Sequence, residues 1–226
     1  MTASAHKTSR FRTVVFDLDG TLADTAPDLT AALNHALAAL GKPPVPADDV
    51  RHMVGHGVRV LLRNGLTAAG ECSEELIDRG FPIFLDYYEE HIADHSRPFD
   101  GVEQTLAALE ADGVKIAICT NKLESLTHRF LAEIGWEGRF AAVVGGDTLP
   151  VRKPDPAPLF EAIARAGGDG PAAFVGDSIT DTNTAKAAAL PCVAVSFGFS
   201  DRPASELGAD RLIDHWDELI PALASL

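Results

Sequence analysis

Four short apolar runs stand out along the chain, at residues 13–16, 114–119, 141–144 and 172–175, with a fifth at 192–195. Each is continuous rather than alternating, which fits a strand buried on both faces of a parallel sheet. Between them, apolar positions recur at helical spacing over residues 102–111, 124–134, 156–166 and 182–189. Gly113, Gly135 and Gly167 follow three of these segments, as helix-ending glycines do. Strand and helix therefore alternate, and the pattern predicts an α/β fold on a parallel sheet. A short strand near Leu212 and a last helix over residues 217–226 complete it. Residues 1–12 are polar and basic and read as a loose tail ahead of the first strand.

The alternation breaks between residues 23 and 97, where helical patterns recur without a convincing strand. Pro27 suits the first turn of a helix that runs to Leu40 and is closed by Gly41. Pro43, Pro44 and Pro46 mark a loop, and residues 48–53, 56–64 and 74–94 are further helical segments. The expected organisation is a core made of residues 1–22 and 98–226, interrupted by an all-helical cap at 23–97. Residues 22–25 and 95–100 would be its two hinges.

Composition narrows the function classes. The 226 residues include 33 acidic and 19 basic side chains, a formal net charge of −14. That balance argues against nucleic acid, which needs a basic face, and against anionic membranes. No apolar run approaches the roughly 20 residues of a spanning helix, and no apolar segment follows the basic N-terminus as in a secretory signal. A soluble, cytoplasmic protein is expected, as monomer or homodimer. Cys72, Cys119 and Cys192 lie far apart with no C-x-x-C, so small buried residues are expected rather than disulfides or a zinc site. His91 and His95 share a helix face but lack an evident third zinc ligand. Trp136 and Trp216 read as packing residues, and the acidic run 71–78 as a solvated helix face.

Net charge does not exclude a small phosphorylated substrate, because one lysine and one metal ion can hold a single phosphate. In open α/β sheets, ligands bind at the carboxyl ends of the strands. The informative polar residues fall there repeatedly. Asp17, Leu18, Asp19, Gly20 and Thr21 follow the first strand; Thr120 and Asn121 follow the second. Gly176, Asp177, Ser178 and Asp181 follow the fourth, and Lys153 lies in the loop beyond the third. Carboxylates brought this close repel and raise one another's pKa unless a cation intervenes. Asp17, Asp19 and Asp177 thus suggest an all-oxygen magnesium site, with Lys153 adding charge for phosphoryl oxygens. Gly20 permits a tight turn and close approach of backbone N–H groups to an anion. In the cap, Gly55, His56 and Gly57 open a helix that could present N–H groups to a substrate carboxylate, with Arg59 beside them.

These segments resemble the four ordered motifs of the haloacid dehalogenase (HAD) superfamily: Asp17-x-Asp19-Gly20-Thr21, Thr120-Asn121, Lys153, and Gly176-Asp177-Ser178-x-x-Asp181. The wording of Asp17-Leu-Asp-Gly-Thr-Leu-x-Asp-Thr-Ala-Pro-Asp28, Met53-Val-Gly-His-Gly57, Cys119-Thr-Asn-Lys122, Gly145-Gly-Asp147 and Lys153-Pro-Asp-Pro156 is closer to its phosphoglycolate phosphatase group. The resemblance implies the Rossmann-like HAD core with a helical cap, and a phosphatase acting through an aspartyl-phosphate. Asp17 would be the nucleophile and Asp19 the general acid and base. Leu18, Thr120, Asn121 and Lys153 would hold the phosphoryl group. Mg2+ would be bound by the Asp17 side chain, the Asp19 carbonyl and Asp177, with Thr21, Ser178 and Asp181 standing behind that site. The rivals are a sugar phosphomutase of the same superfamily, related to β-phosphoglucomutase, and a catalytically silent binding protein. A dehalogenase is disfavoured because its first motif lacks the second aspartate. One departure is local: the group usually carries Ala-Gly where this chain reads Ala189-Leu190.

Overall fold

The computed structural model describes residues 10–200 and 202–226. Six strands form one parallel sheet: β1 (Thr13–Phe16), β4 (Lys115–Cys119), β5 (Ala142–Val144), β6 (Ala172–Gly176), β7 (Cys192–Val195) and β8 (Arg211–Ile213), in spatial order β5-β4-β1-β6-β7-β8. The continuous apolar runs are explained by burial on both faces. Along β1, Val14 and Phe16 join one apolar layer, and Val15 joins the other. In β4, Ile116 and Ile118 face the first layer, and Ala117 and Cys119 the second. This is the two-residue side-chain period of a strand.

The helices α7 (Ala157–Arg165) and α8 (Ile179–Ala187) cover one face, contributing Leu159, Ala162 and Ala185. On the other lie α5 (Val102–Ala111), α6 (Glu124–Glu133) and α9 (Leu219–Ala224), the last preceded by a 3₁₀ turn at Trp216–Glu218. Trp216 is fully buried there and packs against Phe16. The same apolar layer continues into four helices that follow β1: α1 (Ala26–Ala39), α2 (Ala47–Arg51), α3 (Val58–Ala68) and α4 (Glu74–Glu90). Gly65 of α3 lets that helix approach α1 closely, because a Cβ there would sit 2.7 Å from Leu33.

Several expectations are corrected. The chain leaves and re-enters the core through a two-residue antiparallel ribbon, β2 (Ala23–Asp24) with β3 (Arg97–Pro98). Strands this short carry no alternation to read. The ribbon is reinforced by Asp28, whose buried carboxylate accepts the His95 N–H at 3.1 Å, the Ser96 N–H at 2.8 Å and the Ser96 hydroxyl at 2.6 Å. The expected tail at residues 1–12 lies outside the described residues up to residue 9. Its end is anchored: Phe11 is buried, and the Arg12 N–H donates to Pro171 O at 2.7 Å. Cys119 and Cys192 are buried, but Cys72 is exposed in the α3–α4 connection.

The expected departure at Ala189-Leu190 is corrected by one residue: the left-handed position falls on Ala189, not on Leu190. Ala189 is left-handed at φ 54°, and the Leu190 N–H donates back to Ala185 O at 2.9 Å. This is the helix-terminating position that glycine usually fills. Among the described residues, no helix is long and apolar enough to cross a membrane.

Candidate active site

The carboxyl ends of the central strands bring the chemistry together. Asp17 continues β1, and its N–H still donates to Val175 O of β6 at 2.9 Å. Thr120 continues β4, donating to Val144 O at 3.0 Å. Asp177 follows β6 directly. After Asp17 the chain folds back at once, because the N–H groups of Leu22 and Ala23 both donate to Leu18 O. Gly20 makes that turn possible at φ +81°, and a Cβ there would meet Asp177 Oδ2 at 2.5 Å.

Asp17, Asp177 and Asp181 are buried, and one carboxylate oxygen of each lies within 4.8 Å of the others. The Lys153 ammonium stands at this cluster, 3.0 Å from Asp17 Oδ2 and 2.6 Å from Asp181 Oδ1. One ammonium against three carboxylates leaves excess negative charge. Burial, only partly offset by Lys153 and reinforced by Asp181 and Asp19, pushes the Asp17 carboxyl up to about 6. Burial and the charges of Asp181 and Asp17 raise Asp177 well above the ordinary carboxylate range. For Lys153, burial opposes the charged form, but Asp17 and Asp181 outweigh it and hold the ammonium protonated. An all-oxygen donor set with unrelieved negative charge fits a hard divalent cation.

The supporting contacts are specific. Thr21 donates its hydroxyl to Asp177 Oδ1 at 2.7 Å, and the Phe199 N–H donates to Asp177 Oδ2 at 2.7 Å. Gly198 allows that loop to close in, since a Cβ there would lie 2.2 Å from Asp177 Cβ. Ser178 caps α8. Its hydroxyl and N–H donate to Asp181 Oδ2 at 2.6 and 3.0 Å. Asp181 thus holds the helix start with one oxygen and Lys153 with the other.

The Asp19 carboxylate stands apart from the cluster. It accepts from the Thr25 hydroxyl at 2.7 Å and from the Lys122 ammonium at 3.0 and 3.2 Å. Lys122 also donates to Tyr88 Oη at 2.7 Å and lies 4.6 Å from the centre of that ring. Burial opposes the Lys122 charge, but Asp19 and Tyr88 outweigh it and raise its pKa. Burial pushes the Tyr88 phenol up to about 12, so it stays protonated.

A cavity opens between these groups and the helices. Its walls include Asp17, Asp19, Thr120 and Asn121 on the core side and Leu29, Val54, Val58 and Leu61 on the helical side. Asn121 ties the two sides, its amide donating to Gly55 O at 3.0 Å and to Lys153 O at 3.2 Å. Its Oδ1 is buried without a hydrogen-bond partner.

Not every expected substrate contact reaches this cavity. Gly55 and Gly57 line it, but His56 turns to Thr180 Oγ1 at 3.2 Å. Arg59 is not among the residues that line the cavity. Two residues past Gly57 it points along the helix surface, pairing with Asp78 at 2.6 Å and Glu74 at 3.7 Å, and it is 45% exposed. The acidic run on α4 is therefore partly an ion-pair partner, not only a solvated face. His91 pairs with Asp94 at 2.8 Å, and the His95 backbone N–H donates to Asp28 at 3.1 Å. Sequence reasoning assigned no role to Lys122, Thr25 or Tyr88. The available signals were Lys122 at two residues past Thr120, and Tyr88 on the buried α4 stripe of Ile77, Gly80 and Phe84.

A family model described as haloacid dehalogenase-like hydrolase matches residues 14–195. The chain belongs to this family. This hydrolase is 46% identical over 214 residues to the phosphoglycolate phosphatase of Mesorhizobium japonicum, covering 93% of this chain and 94% of that one. It is 44% identical over 220 residues to the phosphoglycolate phosphatase of Caulobacter vibrioides, covering 95% and 91%. Its fold superposes with a TM-score of 0.88 on the crystal structure of a predicted phosphoglycolate phosphatase from Haemophilus somnus 129PT, at 30% identity over 95% of this chain and 98% of that one.

Proposed function

We propose that this hydrolase is a magnesium-dependent phosphomonoesterase whose substrate is phosphoglycolate. One juxtaposition carries the reading: Asp17, at the end of the central strand, shares a buried pocket with Lys153 at 3.0 Å and with two further carboxylates, while Asp19 stands two residues on and apart from them. The names of the relatives above support the substrate.

Asp17, Asp177 and the backbone carbonyl of Asp19 would hold Mg2+, which when bound supplies charge neutralisation for the phosphoryl oxygens. The remaining work falls to the chain's own groups. An Asp17 carboxylate oxygen attacks phosphorus, the bond from phosphorus to the ester oxygen breaks, and Asp19 gives its proton to that leaving oxygen. Asp19 then takes a proton from water as the water oxygen attacks the aspartyl-phosphate, releasing inorganic phosphate and restoring Asp17. The Thr120 hydroxyl and the Asn121 N–H donate to phosphoryl oxygens, and Lys153 balances their charge. Helices α1–α4 act as a cap whose apolar wall excludes water, with the β2–β3 ribbon as its hinge.

The test is phosphate release from a panel of phosphorylated metabolites in Mg2+, ranked by kcat/KM. Phosphoglycolate should rank first, and EDTA should stop turnover until Mg2+ is returned. Isomerisation of a sugar phosphate with little phosphate release would assign a mutase instead.

A further inference from the structure

The site contains a second buried ammonium that the reaction above does not use. Lys122 is 6% exposed, lines the cavity and lies on the side of Asp19 that faces the cap. Among the lining residues it is the cationic one. Arg152 comes near Gly57, but it is exposed. Beyond Asp19 and Tyr88, which Lys122 bonds, apolar side chains of Leu29, Val58, Leu61 and Leu126 also line the cavity. A cation held in such surroundings attracts an anion far more strongly than one in water.

We propose that Lys122 is the receptor for the carboxylate of the substrate's leaving group, with Tyr88 as its partner from the cap. The inference rests on the phosphatase reading above and names what selects the substrate at that site. With the phosphoryl group at Asp17 and Lys153, a short leaving group passes Asp19 and reaches Lys122 and Tyr88. An ammonium has three N–H donors. Both Asp19 oxygens and Tyr88 Oη already take bonds from it, at 3.0, 3.2 and 2.7 Å. A bound carboxylate must therefore displace one, and the 3.2 Å contact to Asp19 is the longest. Substrate binding would then draw Lys122 partly off Asp19 and free an Asp19 oxygen to face the leaving-group oxygen. Tyr88 keeps its own proton, having accepted a bond from Lys122, and supplies a second donor to the carboxylate. An ester without an anionic leaving group would gain neither effect.

The experiment compares phosphoglycolate with 2-hydroxyethyl phosphate, whose leaving group has a similar length and no charge. Both are measured with the wild-type enzyme, Lys122→Met and Lys122→Arg. Wild type should favour the acid-bearing ester in kcat/KM. Lys122→Met should lose activity on both, because Asp19 loses a partner, but its preference for the carboxylate should fall at least about tenfold. Lys122→Arg should retain more of that preference than methionine does. An equal fold-loss on both esters would overturn the assignment, leaving Lys122 only as a positioning residue for Asp19 and the phosphatase reading intact. A wild-type enzyme that hydrolyses both esters without preference would instead overturn the substrate class. Thermal melts check folding. If Lys122→Met does not fold, Tyr88→Phe carries the comparison, with a preference expected to fall about threefold; an unchanged preference overturns the assignment.

Discussion

Replacing Asp17 with asparagine removes one negative charge from a buried pocket where three carboxylates face one ammonium. The Asp17 carboxyl is pushed up to about 6 from its ordinary 3.8, chiefly by burial. That net shift already contains the attraction of Lys153. Each pKa unit is worth about 1.4 kcal/mol, so the ionised carboxylate costs the metal-free fold about 3 kcal/mol above pH 6. A carboxyl raised in the folded state contributes stability that is fully present below the unfolded value and lost as pH rises through the folded one. The wild-type protein in EDTA should therefore lose stability between about pH 4 and pH 6, and Asp17→Asn should not share that loss. At about 2–4 °C per kcal/mol for a chain of this size, the variant should melt about 6–12 °C above wild type at pH 7.5 in EDTA. Near pH 4 the two should converge. Differential scanning calorimetry across that range, with Lys153 still held by Asp181 at 2.6 Å, gives the answer. A variant that melts at or below wild type at pH 7.5 would refute the charge argument, whatever its activity.

Ala189→Gly should relieve the left-handed strain at φ 54° and raise stability by about 1 kcal/mol, read as a melting shift of about 2–4 °C with unchanged kcat/KM. Asp28→Ala should strip the acceptor from the His95 and Ser96 donors and destabilise by about 3 kcal/mol in urea unfolding.

The core was legible because its strands are buried on both faces, which leaves continuous apolar runs such as Thr13–Phe16. The site was legible for a related reason: Asp17, Thr120 and Asp177 each follow the last apolar residue of a strand, where side chains can no longer be buried in an apolar layer. What was not legible depended on three-dimensional partners. Arg59 could be placed on a helix, but not given its rotation toward Asp78 and Glu74. Phe11 sits between two arginines and looks like tail until the sheet forms beside it. The Lys122–Asp19–Tyr88 contact joins residues separated by 103 and 34 positions, and no local pattern announces it. Gly198 reads as an ordinary loop glycine, although its missing side chain is what admits the Phe199 N–H to Asp177.

The central claim is that Asp17 carries the phosphoryl group during hydrolysis. Acid quenching of the enzyme mixed with phosphoglycolate and Mg2+, followed by peptide mass spectrometry, tests it most directly. The account predicts one phosphoryl group on Asp17 in wild type and none in Asp17→Asn. Turnover with phosphate release and a phosphoryl group on another residue, or sustained turnover by Asp17→Asn, would contradict it.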